Sequence, residues 1–414
     1  MKILIFDFLP FIFLLYHLVD LNKYDIISFM RIGIDCRTIL NPEKGEGAGI
    51  GHYVYQLVRY LLLCDKENTY FLFFDHSVRT KTLKKFSQPN VNICFFPFRQ
   101  YKKFLSHPYS SLLANAFLSK DELDVLHSPS IVLPPDVDVA DVITVHDLSV
   151  YKFPEWYSRD KNKNLFLKFR EKISEVLQKA KIIISPSLST AKDLEEIFDI
   201  PFKKIKIIPH GVDERFYQKS PQNQINRVKN KYKIKGKYLL FLGNLEERKN
   251  ILRIISSYER FRDHFPSLNY NLCLAGAAKE SLTKIKKKIA VSPYRSQIIL
   301  TGYIAPDDIN PLFEGATLFI FPSLYEGFGL PVLEAMAKKV PVITSNSSSL
   351  PEVASNCALL VDPYDISAIT KAIETIILKR KEIEPMIKMA YQRSRQFSWL
   401  KTAEQTLEVY KKIK

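Results

Sequence analysis

The residue types best suited to chemistry include two carboxylates, Glu326 and Glu334, which are separated by seven residues. They follow an apolar run at 318–321 that predicts a buried strand, and Pro331 suits an early position of the next helix. The first carboxylate then lies in the loop and the second about one turn into the helix, so both can point into one cleft. Such a pair can serve acid–base chemistry or accept hydrogen bonds from sugar hydroxyl groups.

Two adjacent cations, Arg248 and Lys249, follow the apolar run at 238–242 at a predicted strand-to-helix turn. Arginine offers a planar fork of donors and lysine a point charge, so the pair suits a diphosphate. A solvated turn without a ligand is the alternative interpretation.

A glycine-rich segment, GEGAGIGH at 45–52, follows the first predicted strand and opens a helix. Glycines let the backbone approach a phosphate closely, and a helix N-terminus supplies N–H donors. The segment is neither a Walker A loop nor a clean dinucleotide-binding fingerprint. By itself it is equally consistent with a flexible loop.

A histidine, His146, ends the buried strand-like run at 142–145, where its side chain would face a cleft. An imidazole at that position could take or hold a proton near neutral pH. The alternative is a histidine that caps the turn together with Asp147.

The elements that position these residues alternate between short apolar runs and longer amphipathic stretches from residue 30 onward. This alternation predicts parallel strands covered by helices on both faces. A turn-rich segment at 209–213 and a polar linker near 220–237 divide the pattern into two series. We therefore expect an α/β protein with two doubly wound domains facing across a cleft, at residues 30–215 and 216–385. One further helical stretch at about 384–414 is too long to serve the second sheet alone, and residues 386–414 are expected to cross back to the first domain.

The first 29 residues are strongly apolar at 3–19, but Asp7 and Pro10 interrupt the run and no small-residue cleavage site follows. Because Met30 directly precedes the first predicted strand, one interpretation is that translation begins there. The other is an extension that associates with the membrane.

The chain has 414 residues and a formal net charge of +16, which favours anionic partners. A basic stretch at 152–172 interleaves with apolar residues, and it predicts either a helix at a membrane surface or a plain surface helix. We expect no nucleic-acid partner, because no helix-turn-helix, zinc-finger spacing or basic-aromatic single-strand motif is present. The five cysteines are scattered and never in C-x-x-C spacing, which favours a reducing compartment.

Taken in order, the four motifs and the Pro-His-Gly-Val-Asp segment at 209–213 resemble those of retaining family 4 glycosyltransferases, which have the GT-B fold. The resemblance covers about residues 30–414. The openings at 33–37 and 47–52 are most similar to bacterial mannosyltransferases that build O-antigen and other surface polysaccharides. Asn244 departs from the family pattern, because many relatives carry an arginine at this position. Arg248 and Lys249 must then supply more of the positive charge.

The resemblance implies a role for each matching residue. His146 would lie near the transferred sugar, Arg248 and Lys249 would bind the diphosphate, and Glu326 would contact sugar hydroxyls. Glu334 would bind the ribose of the nucleotide. The remaining residues of the donor site would contact the donor through their backbone groups or by close approach of the backbone. They are Gly49, Gly51, Tyr303, Ile304, Gly327, Phe328, Gly329 and Leu330.

The resemblance further implies a hexosyltransferase that uses a nucleotide-sugar donor, GDP-mannose first and a UDP-sugar second. No cofactor and no metal are expected, and Asp136-Val137-Asp138 is interpreted as a chance match to a metal motif. A lipid-linked or growing polysaccharide is the expected acceptor, at the anionic cytoplasmic face of the cell membrane. The alternatives are a soluble acceptor, a non-catalytic scaffold and a nucleic-acid-binding protein.

Overall fold

The computed structural model describes residues 29–42, 49–75, 77–96, 123–131, 140–157, 163–277 and 281–413. The apolar segment at 1–28, residues 45–48 of the glycine-rich segment, and Asp136 and Asp138 lie outside these described residues.

The first domain contains a seven-stranded sheet in which every pair of neighbours is parallel. Its strand order is β3-β2-β1-β4-β5-β6-β7, so the winding reverses between β1 and β4. The strands are β1 Arg31–Asp35, β2 Thr69–Asp75, β3 Val91–Phe96, β4 Val125–Ser128, β5 Ala140–Thr144, β6 Ile182–Ser185 and β7 Ile205–Ile207.

Successive residues of these strands enter different cores, because side chains alternate between the faces of a strand. Val142 belongs to the core on one face and Ile143 to the core on the other. Helices cover both faces, and most strand residues are therefore apolar. The helices of this domain are α1 Gly49–Cys64, α2 Ser149–Lys152, α3 Lys163–Lys179 and α4 Leu188–Phe198.

Helix α3 begins within the basic stretch predicted at 152–172 and covers its residues from 163 onward. Its residues Ile173 and Leu177 are buried in the core beneath the sheet, while Arg170 and Glu171 are exposed. This half of the helix therefore packs on the domain, and the side chains of residues 163–169 lie outside the description.

The second domain repeats the architecture with a six-stranded parallel sheet in the order β10-β9-β8-β11-β12-β13. Its winding reverses between β8 and β11. The strands are β8 Lys237–Leu242, β9 Tyr270–Ala275, β10 Ile298–Gly302, β11 Leu318–Phe321, β12 Val342–Ser345 and β13 Leu359–Val361. The two doubly wound domains expected from the sequence are thus confirmed, and β13 is an additional edge strand that the sequence did not indicate.

The remaining helices are α5 Gln222–Lys231, α6 Ile251–His264, α7 Leu282–Ala290, α8 Pro306–Glu314, α9 Leu330–Ala337, α10 Leu350–Ala354, α11 Ile366–Leu378, α12 Glu384–Ser394 and α13 Trp399–Ile413. Helix α5 corrects the prediction of a polar linker near 220–237. Only Val228 of this helix is buried, so its apolar face is too narrow to be recognised from periodicity.

The chain crosses between the domains at two segments that lie side by side, residues 209–213 and 395–398. The Val212 amide donates to the Phe397 carbonyl over 3.1 Å, and Thr402 Oγ1 donates to the Pro209 carbonyl over 2.7 Å. A Cβ atom on Gly211 would lie 2.1 Å from the backbone nitrogen of Trp399, so only glycine fits this approach.

The C-terminal stretch, predicted as one helix, forms two because the chain turns at this crossing. Helix α12 packs in the core of the second domain through Ile387 and Ala390. Helix α13 returns to the first domain, where Trp399 and Tyr410 are fully buried in its core.

Helices long and apolar enough to cross a bilayer are absent from the described residues.

Candidate active site

Three of the functional side chains predicted from the sequence follow the strands at which the second sheet reverses its winding. In the second domain β8 and β11 are direct neighbours, with Leu239 opposite Leu318. The loops that follow them, at 243–250 and 322–329, lead to helices, and a crevice forms where such connections diverge. Arg248, Lys249 and Glu326 therefore share the carboxyl edge of one sheet.

The structure brings these three side chains into one ion-pair cluster. Arg248 Nη1 donates to Glu326 Oε2 over 2.9 Å, and Lys249 Nζ donates to Glu326 Oε1. Arg248 Nε also donates to Glu246 over 3.0 Å, and Lys249 Nζ lies 4.7 Å from the centre of the Phe321 ring. Lys249 and Glu326 are buried. One guanidinium and one ammonium charge thus face one internal carboxylate.

Burial and charge act against each other on this cluster. Burial alone would raise the pKa of Glu326, but the charges of Lys249 and Arg248 outweigh it and hold that pKa below its usual value. Burial lowers the pKa of Lys249, and the Glu326 carboxylate opposes that shift. Burial likewise opposes the charged form of Arg248, yet Glu326 and Asp147 raise its pKa overall. Glu326 is consequently ionised at neutral pH.

Asn250 fixes the turn that carries both cations, and sequence reasoning missed it. Its backbone is left-handed, at φ 62°, and its Nδ2 donates to the carbonyl groups of Pro322 and Pro363 over 3.0 and 2.6 Å. The Leu324 amide also donates to the Arg248 carbonyl over 2.8 Å. These bonds join the loops after β8 and β11 into one unit. An asparagine after an Arg-Lys pair was the available signal, since asparagine tolerates this conformation.

His146 faces this unit from the first domain, two residues after β5. Its Nε2 lies 2.9 Å from the Pro129 carbonyl and therefore carries the proton, while its Nδ1 lies 3.4 Å from Nε2 of His210. Burial lowers the pKa of His146 and holds that of His210 well below the usual value, so both rings are neutral at pH 7. Both ring nitrogens of His146 thus face protein groups.

The two domains touch at Gly327. A Cβ atom on this residue would lie 1.9 Å from the carbonyl oxygen of His146, so glycine is required here. The Gly327 carbonyl accepts a hydrogen bond from Ser187 Oγ over 2.7 Å. The glycine between Glu326 and Phe328 therefore permits close contact between domains, in addition to any contact with a ligand.

The other predicted donor-binding residues lie at three places. Gly49 and Gly51 are in the first turn of α1. Phe328 lies with its ring 5.0 Å from that of His210, Gly329 directly precedes α9, and Leu330 is the first residue of that helix. Tyr303, which is 69% exposed, and the buried Ile304 follow the edge strand β10, two strands away from β8.

Glu334 lies in α9, about one turn beyond Gly329. Burial raises its pKa to about 7, Arg215 opposes this shift and Asp213 adds to it. Its proton is therefore held far more tightly than that of Glu326, and the two predicted carboxylates differ in charge near neutral pH.

Sequence reasoning also missed the contributions of His210 and Tyr325. His210 belongs to the segment at 209–213, whose composition indicates a turn but not a role for the imidazole ring. Tyr325 directly precedes Glu326, and no local pattern distinguishes it from the rest of this strand-to-helix loop. No cluster of three or more His, Cys, Asp or Glu side chains with the geometry of a metal site occurs within the described ranges.

Two families match the two domains separately. Residues 47–216 match Glycosyltransferase Family 4, and residues 222–393 match Glycosyl transferases group 1. Together these two segments take in both sheets apart from β1.

Several named relatives are similar to this chain in sequence or in fold over most of its length. The O-antigen chain mannosyltransferase B of Escherichia coli is 29% identical over 89% of this chain and 97% of its own length. The serotype-specific mannosyltransferase WbdA of Escherichia coli is 31% identical over 67% of this chain, which spans about a third, 34%, of that longer protein. The sucrose-phosphate synthase of Thermosynechococcus elongatus shares the fold, with a TM-score of 0.73 at 18% identity over 93% of this chain and 99% of its own. Its likeness establishes the two-domain GT-B fold.

Proposed function

Because the chain belongs to the glycosyltransferases of family 4 and group 1 and has the GT-B fold, we propose that it is a retaining mannosyltransferase. Its donor is GDP-mannose, and its acceptor is a lipid-linked or growing surface polysaccharide. The observation that carries this proposal is the buried cluster of Arg248, Lys249 and Glu326 at the reversal of the second sheet, opposite His146. The similarity to O-antigen chain mannosyltransferase B over nearly all of that enzyme's length supports the sugar and the acceptor.

The chemistry follows from the leaving group. The bond between the anomeric carbon and the diphosphate oxygen breaks, and its electron pair leaves with the nucleoside diphosphate. Arg248 and Lys249 hold preorganised positive charge where this negative charge develops, which lowers the barrier most effectively inside a site with little water. Glu326 fixes both cations and accepts hydrogen bonds from sugar hydroxyls.

The acceptor hydroxyl attacks the face from which the diphosphate departs, and its proton passes to the departing phosphate oxygen. Configuration at the anomeric carbon is thereby retained without a covalent intermediate. His146 is neutral and shapes the sugar pocket, while Glu334 contacts the ribose. Tyr303 and Ile304 contact the base, and the amides at 327–330 and the glycines at 49 and 51 approach the sugar and diphosphate. The residues require no metal for these roles.

The protein works at the anionic inner face of the cell membrane, as a peripheral protein of the cytoplasm. The sequence of helix α3 supports this location, since its five lysine and arginine residues outnumber its two glutamates and suit anionic lipid. Nucleic acid is not a partner in this proposal.

A donor panel tests the function. Purified protein is incubated with octyl α-mannoside and GDP-mannose, UDP-glucose, UDP-galactose or ADP-glucose, with and without EDTA, and released nucleotide is measured. We expect GDP release only, unchanged by EDTA, and an α-linked product in the NMR spectrum. Arg248→Ala and Lys249→Ala should each lower kcat/KM at least about a hundredfold, in the range of lost transition-state contacts. Lys379→Ala, which removes an exposed cation, is the matched control.

Each other outcome overturns one part of the proposal. Release of UDP refutes the donor, transfer to free sugars or sugar phosphates refutes the lipid-linked acceptor, and an inverted or EDTA-sensitive reaction refutes the mechanism. A trapped glycosyl-enzyme would also refute same-face attack. No transfer from any nucleotide sugar refutes the enzyme itself.

A further inference from the structure

Tyr325 belongs to the second domain, but its hydroxyl group is buried against the first. The residue is 3% exposed, and its Oη donates to Asp193 Oδ2 over 2.6 Å. The Leu148 amide donates to the same hydroxyl over 3.4 Å, and the Phe153 ring lies 5.5 Å away, edge to face. The side chain therefore enters a pocket formed by α2, α4 and the turn that follows His146.

The bond to Asp193 is of the strong kind, because the acceptor is a carboxylate that is itself only 2% exposed. Lys152 also donates to Asp193, so this carboxylate keeps a cationic partner. Burial, and then the nearby Asp193 charge, raise the pKa of Tyr325, so the phenol keeps its proton and acts as the donor. The contact is thus a hydrogen bond between the two domains at a place that is shielded from water.

The backbone of the same residue contacts the candidate active site. Arg248 Nη1 donates to the Tyr325 carbonyl over 3.3 Å as well as to Glu326, the next residue. The amide of Leu324, the preceding residue, donates to the Arg248 carbonyl. Tyr325 is thus bonded to the first domain through its hydroxyl and to Arg248 through its own carbonyl, and the amide of the preceding residue also bonds to Arg248.

We propose that Tyr325 is a positioning residue, which aligns Arg248 and Glu326 when the first domain engages its hydroxyl through Asp193. This inference rests on the proposed function, in which Arg248 stabilises the departing diphosphate. Nothing else in the loop at 322–326 performs both tasks among the residues that the structure describes. Productive alignment of Arg248 and Glu326 then depends on the approach of the two domains.

The consequence is a split between turnover and donor affinity. Arg248, Lys249 and Glu334 all belong to the second domain, so the donor can bind there whether or not the first domain is engaged. Alignment in the transition state requires the engaged arrangement, as in enzymes whose closure completes the catalytic set. Loss of the tyrosine hydroxyl should therefore lower kcat more than it raises KM.

The kinetic test compares Tyr325→Phe with Tyr258→Phe. Tyr258 is a matched control, since its buried hydroxyl donates to the Tyr270 carbonyl over 2.7 Å, with Gln297 Oε1 3.4 Å away, far from the cleft. With GDP-mannose and octyl α-mannoside, Tyr325→Phe should lower kcat about tenfold with less than about a twofold change in donor KM. Tyr258→Phe should leave both constants near those of the wild type. An unchanged kcat in Tyr325→Phe overturns the proposal.

A double-mutant cycle tests the route through Asp193. Asp193→Asn should lower kcat to a similar extent, and the double variant should be no worse than the poorer single variant, because both remove one interaction. Additive losses would overturn the assignment of Asp193 as the partner.

Hydrogen exchange gives a readout that needs no donor. The Leu324 amide, which bonds to Arg248, should exchange about tenfold faster in Tyr325→Phe than in the wild type, and at the wild-type rate in Tyr258→Phe. Equal exchange in all three proteins overturns the proposal even if no nucleotide sugar is turned over. A wild type that transfers no sugar but shows this exchange pattern refutes the proposed function and leaves the positioning contact standing.

Discussion

Glu326 contacts both cations of the candidate active site, and the three side chains are largely withdrawn from water. Desolvation of such charges is costly, and their mutual attraction only compensates when each has a partner. The side chain therefore affects the two cations in two ways, since it holds Arg248 and Lys249 in place and it neutralises part of their charge.

We predict that Glu326→Gln lowers the free energy of unfolding by about 3 kcal/mol, because the buried Lys249 and the half-buried Arg248 lose this carboxylate. Urea denaturation at pH 7 measures the change. Activity should fall as well, since the cations are no longer fixed.

Glu382→Gln is the matched control for this substitution. Glu382 pairs with Lys379 over 3.1 Å at the surface, and both side chains are exposed. Its neutralisation should change stability by less than about 0.5 kcal/mol. Equal changes in the free energy of unfolding would show that the buried cluster depends on its carboxylate no more than an exposed ion pair does.

The residue types at the site could be predicted from the sequence because each follows a recognisable apolar strand. The positions of Arg248 and Glu326 at the carboxyl edges of two strands required only the order of the strands. Their pairing could not be predicted, because it depends on how two loops 78 residues apart meet. The contact of Tyr325 with Asp193 depends on the packing of one domain on the other, which no local pattern encodes.

At the scale of elements, α4 receives its N-terminal capping from both domains. Ser187 Oγ accepts a hydrogen bond from the Thr190 amide within the first domain. Glu352, in α10 of the second domain, accepts from the amides of Leu188 and Ser189 over 2.7 Å each. A carboxylate at this end also suits the helix dipole. Helix α4 therefore couples the domains through its first turn.

We predict that Glu352→Ala lowers stability by about 1 kcal/mol, the usual cost of a lost cap, and speeds exchange of the Leu188 and Ser189 amides several-fold. Hydrogen exchange at residue resolution measures it. The effect should be confined to α4, although the substituted residue lies in α10.

Asp365→Ala provides the comparison for this substitution. Asp365 caps α11 within its own domain, where it accepts from the amides of Ser367 and Ala368. Its loss should cost a similar amount and should affect α11 alone. If Leu188 and Ser189 stayed protected in Glu352→Ala, the cap between domains would not exist in solution.

Most elements could be predicted because the strands are apolar and the helices between them are amphipathic. Helix α5 escaped recognition because Val228 is its only buried residue, and β13 because it has three residues at a sheet edge. The division of the C-terminal stretch into α12 and α13 could not be predicted either. It results from the crossing beside Gly211, a contact between segments almost two hundred residues apart.

At the scale of the whole molecule, α13 ties the end of the chain to the centre of the first sheet. His127, at the third position of β4, is fully buried, with Nδ1 2.6 Å from Tyr410 Oη and Nε2 2.8 Å from Thr144 Oγ1. Burial lowers the pKa of His127 to about 3, and the nearby His146 adds to the shift. The returning helix is thus held by a histidine that must remain neutral.

This arrangement predicts that the protein loses stability in mild acid. Below pH 6.5 the unfolded chain binds a proton at each histidine, whereas the folded protein does not bind one at His127, so the unfolded state gains. Glu334 acts in the opposite sense, since its raised pKa favours the folded state as the pH falls toward 4.5. Comparison of His127→Asn with the wild type cancels that contribution.

Between pH 6 and 5, the decrease in unfolding free energy should be about 1 kcal/mol smaller in His127→Asn than in the wild type. The variant should also be less stable at pH 7, because Tyr410 and Thr144 lose their hydrogen bonds to His127. Urea denaturation at both pH values separates the two effects. A His127→Asn variant with the wild-type dependence on pH would mean that His127 takes up its proton inside the fold. The contact between β4 and α13 would then have to tolerate an imidazolium, and the return of the C-terminal helix would not account for the response to acid.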